Sequence, residues 1–247
     1  MIRPILLAAV ALLAACGGAA RGGATGAGAA AATHNVLSEA ERRAGWRLLF
    51  DGRTLDGWRG YNATGPGAGW AVEDGAIALV NPRGANDLIT TERFGDFELV
   101  LQWRIRPDGP PANSGIFYRA EEKDGENIYQ SAPEMQVLDD ARHPDGRSRL
   151  TSAGSLYGLY AAPAGLVRPA GQWNDVRIVV RGTRVEHWLN GTQVVNAELW
   201  SADWNARHAA SKFPQWPRYA RATVGHLGLQ EHGSWVAFRD IKLRVLR

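Results

Sequence analysis

Apolar and polar residues alternate with a period of two through most of the chain beyond about residue 45, and long helical periods are nearly absent. Phe97, Leu99, Leu101, Trp103 and Ile105 alternate with Glu98, Val100, Gln102 and Arg104, which predicts a long strand with one buried face. Val176, Ile178 and Val180 repeat the pattern against Arg177, Val179 and Arg181. The last strand reads Val236 and Phe238, then Ile241, Leu243 and Val245. That slip in parity predicts a β-bulge at Arg239-Asp240. Asp74-Gly75 falls between Trp70/Val72 and Ile77/Leu79, and Asn190-Gly191 between Val185–Leu189 and Thr192–Val195; both dipeptides suit tight hairpins. Ser201 to Lys212 breaks the pattern with a capping serine, an early aspartate and a run of alanines, and predicts one short surface helix. The sum is an all-β fold, an antiparallel β-sandwich of the jelly-roll kind.

The first residues follow a different grammar. Arg3 precedes an apolar run from Ile5 to Ala15 that is too short to span a bilayer, as in a signal peptide. The run ends in Leu13-Ala14-Ala15-Cys16, which resembles a bacterial lipobox, and Cys16 is the single cysteine of the chain. The expectation is a leader over residues 1–15, lipid attachment at Cys16, a Gly/Ala-rich tether over 16–43 and one domain over 44–247. It implies a cell-envelope lipoprotein that meets the membrane only through its lipid, with a fold held by its core and no disulfide. The formal net charge is +3, with basic residues scattered among acids, so no basic stripe argues for nucleic acid.

Five segments then carry a resemblance: Leu49-Phe50-Asp51-Gly52 with Leu55-Asp56-Gly57-Trp58, Asn113-Ser114-Gly115-Ile116-Phe117-Tyr118-Arg119, Glu134-Met135-Gln136-Val137-Leu138-Asp139, Val185-Glu186-His187-Trp188-Leu189-Asn190-Gly191, and Gly225-His226-Leu227-Gly228-Leu229-Gln230. In this order they resemble the DUF1080 family of 3-keto-disaccharide hydrolases and 3-keto-glucoside 1,2-lyases/hydratases, over about Gly45 to Leu246, with Ser211-Lys212-Phe213 included. The resemblance implies a concanavalin-like jelly roll that cleaves oxidised sugars. A ketone at C3 acidifies the C2 hydrogen, the resulting enolate expels the C1 oxygen, and water adds back at C1. Such a site needs a base near C2, a cation or donor at the C3 oxygen and an acid at the leaving oxygen.

Parity places Glu134 and Gln136 on one strand face with Met135 and Val137 on the other. The spacing Glu-x-Gln-x-x-Asp is similar to the Glu-x-Asp-x-x-Glu strand of jelly-roll glycosidases but lacks the central carboxylate. Glu134 also has a plain structural reading, an ion pair with Arg119. His187, on the strand before the Asn190-Gly191 turn, would oppose Val194, while Trp188 would oppose Gln193. The residues alone favour a core histidine; the resemblance favours a proton shuttle or metal ligand. His226, Gly228, Gln230 and His232 share a face, where Gly228 either leaves room for a ligand or marks a bulge.

Glu134 and His187 are the candidate catalytic groups, with Asn113, Arg119, Gln136, Asp139, Lys212, Gln230 and His232 as candidate substrate contacts; Arg119 or Lys212 would stabilise an enolate oxygen. No organic cofactor is expected. Glu134, Asp139, His187 and His232 offer ligands that suit a divalent metal, without a tight spacing to support one. Trp200, Trp204 and Trp216 either stack on sugar rings or pin the late connection to the sandwich. Three functions compete: a 3-keto-glycoside-cleaving enzyme served by a separate sugar 3-dehydrogenase, a non-catalytic carbohydrate-binding sandwich, and a structural or protein-binding sandwich.

Overall fold

Alternating apolar positions bury one face of each strand and require a second layer to cover it. The computed structural model describes residues 33–246, so Cys16 and the leader lie outside it. In chain order the strands are β1 (Arg47–Leu48), β2 (Trp58–Gly60), β3 (Trp70–Glu73), β4 (Ala76–Leu79), β5 (Leu88–Phe94), β6 (Phe97–Ile105), β7 (Asn113–Ala120), β8 (Glu134–Leu138), β9 (Asn174–Arg181), β10 (Arg184–Leu189), β11 (Thr192–Glu198), β12 (Gly225–Leu229) and β13 (Val236–Val245). They form two antiparallel sheets. The larger runs β11-β10-β9-β6-β13-β4-β3, with β1 also on β13; the smaller runs β2-β5-β12-β7-β8. This is the jelly-roll sandwich that the alternation predicts.

The core lies between the sheets. Phe97, Leu99, Leu101, Trp103 and Ile105 of β6 are buried there with Val176, Ile178, Val180, Phe238 and Ile241. The bulge falls where parity puts it: Arg239 pairs with Gln102 and Lys242 with Val100, so Asp240 and Ile241 oppose one residue, and Asp240 takes φ 53°. It also marks the point on β13 where β4, paired at Ala237 and Phe238, gives way to β1, paired at Lys242 and Leu243. Asp74-Gly75 and Asn190-Gly191 both adopt positive φ and close the expected hairpins. The predicted helix is α2, Ala202–Ala209, capped by the Ser201 hydroxyl accepting from the Trp204 amide. It ends before Lys212, which stands in the connection that follows.

The folded unit begins earlier than the expected boundary at residue 44. The His34 ring lies 2.7 Å from the Asp240 carboxylate, and the Asn35 side chain donates to Gly75 O at 2.8 Å. A five-residue helix α1, Glu39–Arg43, carries a Ser38/Glu41 capping box, and Lys242 donates to Glu41 at 2.8 Å. Residues 34–43 therefore dress the β13 bulge rather than extend a tether.

A second apolar cluster covers the outer face of the smaller sheet. Ile128 and Ala132, from the long β7–β8 connection, pack with Tyr61, Ile89, Phe117 and Ala120. The space above Gly228, read from sequence as room for a ligand, is filled by this cluster: a Cβ there would meet Ile128 Cδ1 at 2.6 Å and Phe117 Cβ at 3.2 Å. Gly228→Val should therefore lower stability by roughly 1–3 kcal/mol by displacing Ile128, read as a lower denaturation midpoint with unchanged m-value.

Candidate active site

The first half of β7, at Asn113, Gly115 and Phe117, and the start of β8, at Glu134 and Gln136, face away from the sandwich core. Asn113 and Gly115 therefore share the outer face with Glu134 and Gln136, while Ile116, Met135 and Val137 enter the core. A cleft of about 420 Å³ opens there. Its floor holds Asn113, Glu134, Gln136 and Gln230, and its rim holds Tyr61, Asp87, Tyr129, Asp145, Tyr157, Lys212 and His232. The size suits a small polar ligand.

Glu134 lies across Gly115, where a Cβ would meet its carboxyl carbon at 2.7 Å, so the glycine makes the space that the side chain occupies. The residue is 6% exposed. Burial pushes its carboxyl up to about 8, against the lowering influence of Lys212 and with further raising by Asp87 and Asp145. The Lys212 ammonium rests over the Tyr157 ring at 4.6 Å and near Phe213 and Trp216, an aromatic nest that positions it at the cleft. Gln230 is fixed by its main-chain N–H donating to Gly115 O at 2.9 Å and by its main-chain carbonyl accepting from the Ser114 hydroxyl at 2.8 Å. The Gln136 and Gln230 side-chain oxygens have no protein donor, and sugar hydroxyls would supply one.

Three sequence candidates stand elsewhere. His187 is wholly buried between the sheets, where its Nε2 lies 3.1 Å from the Tyr118 hydroxyl and its Nδ1 3.2 Å from Gly154 O. The carbonyl can only accept, so Nδ1 carries the proton and Nε2 accepts from Tyr118. Burial lowers the imidazole to about 4. It is a neutral core histidine, the reading that the residues alone favoured over the one the resemblance implies. Its cross-strand partner is Val195 rather than Val194, because a bulge shifts the register between His187 and Trp188.

Arg119 does not pair with Glu134. A bulge in which Tyr118 and Arg119 oppose Leu227, with Arg119 at φ 52°, redirects its guanidinium to Asp96 at 3.0 Å, Gly95 O at 3.2 Å and Gly182 O at 2.8 Å. Asp139 pairs with Arg142 and accepts from its amide, ordering the turn after β8. Glu134, Asp139, His187 and His232 thus do not converge, and among the described residues no group of three or more His, Cys, Asp or Glu could hold a metal ion.

The three late tryptophans pin the connection. Trp204 is buried between Tyr160 and Tyr219, Trp200 donates to Ala220 O at 2.9 Å, and Trp216 packs on Phe213 and Tyr129. The aromatic rings that line the cleft are instead Tyr61, Tyr129 and Tyr157.

Asp87 is the acidic group that sequence reasoning missed. It stands at the end of a Pro/Gly-containing loop, just before β5, where its type reads as an ordinary turn residue. Its position before a strand on the cleft side was the available signal.

Residues 45–244 match the family described as the 3-keto-alpha-glucoside-1,2-lyase-like domain. The chain belongs to this family. A 3-keto-disaccharide hydrolase of Bacteroides thetaiotaomicron is 37% identical over 231 residues, covering 82% of this chain and 79% of that protein. A solved structure of a candidate glycosyl hydrolase from Parabacteroides distasonis is 31% identical with a TM-score of 0.80, over 87% of this chain and all of the other. A second from the same organism is 25% identical with a TM-score of 0.61, over 81% of this chain and 99% of its own.

Proposed function

We propose that this family member cleaves 3-keto-disaccharides by elimination and rehydration, so that one site performs both the lyase and the hydrolase chemistry of its relatives. The carrying observation is the Glu134 carboxyl, buried on the cleft floor with Lys212 beside it. A base for C2 and a cation for the C3 oxygen must be neighbours because those atoms sit on adjacent carbons.

In the first half, ionised Glu134 takes the C2 proton and the electrons pass to the C3 oxygen, where the Lys212 charge holds the enolate. The enolate collapses to the ketone, C1–C2 becomes a double bond and the C1–O bond breaks, the leaving oxygen gaining a proton. In the second half water adds at C1, giving up a proton, and protonated Glu134 returns a proton to C2. The sum is hydrolysis. Asn113, Gln136, Gln230 and His232 provide polar contacts for ring hydroxyls. The C3 ketone must come from a separate sugar-oxidising enzyme.

The test is a short single-turnover incubation of a 3-keto-disaccharide in heavy water. Released 3-keto-glucose is expected to carry deuterium at C2, above the exchange of 3-keto-glucose incubated alone. Direct displacement at C1 by two carboxyls would leave C2 protonated and would also act on unoxidised disaccharides; deuterium-free product together with cleavage of unoxidised disaccharides overturns the elimination.

A further inference from the structure

Elimination leaves one role unfilled, the proton donor to the departing glycosidic oxygen, and neither His187 nor Arg119 reaches the cleft to fill it. We propose that Asp87 is that donor, placed across the cleft floor from Glu134; the assignment rests on the elimination reading above.

Three observations converge on it. The first is position: Asp87 immediately precedes β5 and Glu134 opens β8, and β12 and β7 lie between those strands. Three strand spacings separate the two backbones by about 14 Å, so their side chains approach a bound sugar from opposite sides. The second is proximity. Asp87, Glu134 and Lys212 line the same cleft, and the charges of both Lys212 and Asp87 act on Glu134. A sugar bound there meets a cation, a base and an acid in one site.

The third observation is protonation. Asp87 Oδ1 accepts from the Glu231 amide at 2.8 Å, which orients the carboxyl and leaves Oδ2 to carry a proton. Burial pushes the group up to about 7, aided by the Glu231 charge and opposed by the amide bond. The titratable groups facing the pair from the cleft walls are Glu126, Asp145, Lys212, Glu231 and His232, with the three tyrosines Tyr61, Tyr129 and Tyr157. In the elimination Asp87 gives its proton to the leaving oxygen as the C1–O bond breaks. In the hydration its carboxylate takes a proton from the water that adds at C1, restoring the starting state.

The experiment compares Asp87→Asn with the wild type on a 3-keto-disaccharide and a 4-nitrophenyl 3-keto-glucoside, and follows C2 deuterium exchange into unreacted substrate. Asparagine keeps the acceptor for the Glu231 amide. Disaccharide cleavage is expected to fall about 10²-fold or more. Cleavage of the nitrophenyl glycoside, whose leaving group needs no proton, should change by less than about tenfold, and C2 exchange should persist. The wild-type kcat/KM profile should be a bell between about pH 7 and 8; the variant on the nitrophenyl substrate should only rise through about pH 8, as Glu134 ionises. Equal losses on both substrates, or no loss on the disaccharide, overturn the assignment. Absence of both exchange and cleavage in the wild type would instead overturn the elimination reading. If the asparagine variant folds poorly, Asp87→Ser must give the same split between leaving groups.

Discussion

Glu134→Gln is expected to lower turnover of a 3-keto-disaccharide by about 10²-fold or more while making the folded protein more stable at alkaline pH. The activity loss follows from removing the base beside Lys212. The stability gain follows from its burial. An unfolded glutamate releases its proton near 4.5, whereas the folded chain holds it to about 8. Between those values the folded state binds the extra proton, so stability falls as pH rises from 4.5 and the full cost is present above 8. That cost is on the order of 5 kcal/mol, and glutamine removes it apart from the desolvation of its own amide. Tm measured from pH 5 to 9 should show the variant gaining on the wild type as pH rises, by several degrees at pH 9. A gap that stays constant with pH would place the Glu134 carboxyl in water.

His187 should behave in the opposite way. His187→Ala is expected to lower stability by about 2–4 kcal/mol, because it opens a cavity and strands the Tyr118 hydroxyl and the Gly154 carbonyl. Activity per folded molecule, measured well below Tm, should stay within a few-fold of wild type. An unfolded imidazole accepts a proton below about 6.5 and the folded one only below about 4. The wild type therefore loses stability as pH falls through that window, and His187→Phe, which cannot be protonated, should lose less. Urea midpoints at pH 7 and 4.5 measure both effects; a stable but inactive His187→Ala would restore a catalytic role.

The two histidine and glutamate outcomes show how far alternation carries. Strands β6, β9 and β13, both hairpins and the Arg239-Asp240 bulge were legible because burial of one face enforces a period of two. Glu134 and Gln136 were legible as a pair by the same count, since β8 is short and regular. Counting failed at Arg119, where a left-handed residue inside β7 reverses the side chain's direction. At His187 the count left both faces mixed, the residues alone favoured the core and the family resemblance reversed that preference; Val185 and Leu189, buried on the same face, show which face is the inner one. Asp87 belongs to no periodic segment, and its chemistry comes from burial by chain that is distant in sequence, notably Glu231. Lys212 needed the aromatic nest of Tyr157, Phe213 and Trp216, which assembles only after the connection folds.

The pinned segment at the start of the folded unit bears on how the enzyme would be presented on a surface. Thr33 lies beside Val100, Arg177 and Trp188 on the outer face of the larger sheet, and His34 and Asn35 are held at the β13 bulge. The cleft opens on the outer face of the other sheet, with the core between them. Thr33 thus lies on the face opposite the cleft. A bead or fusion partner attached at Thr33 itself would stand on the face opposite the cleft and leave its mouth open to a sugar diffusing in from solution.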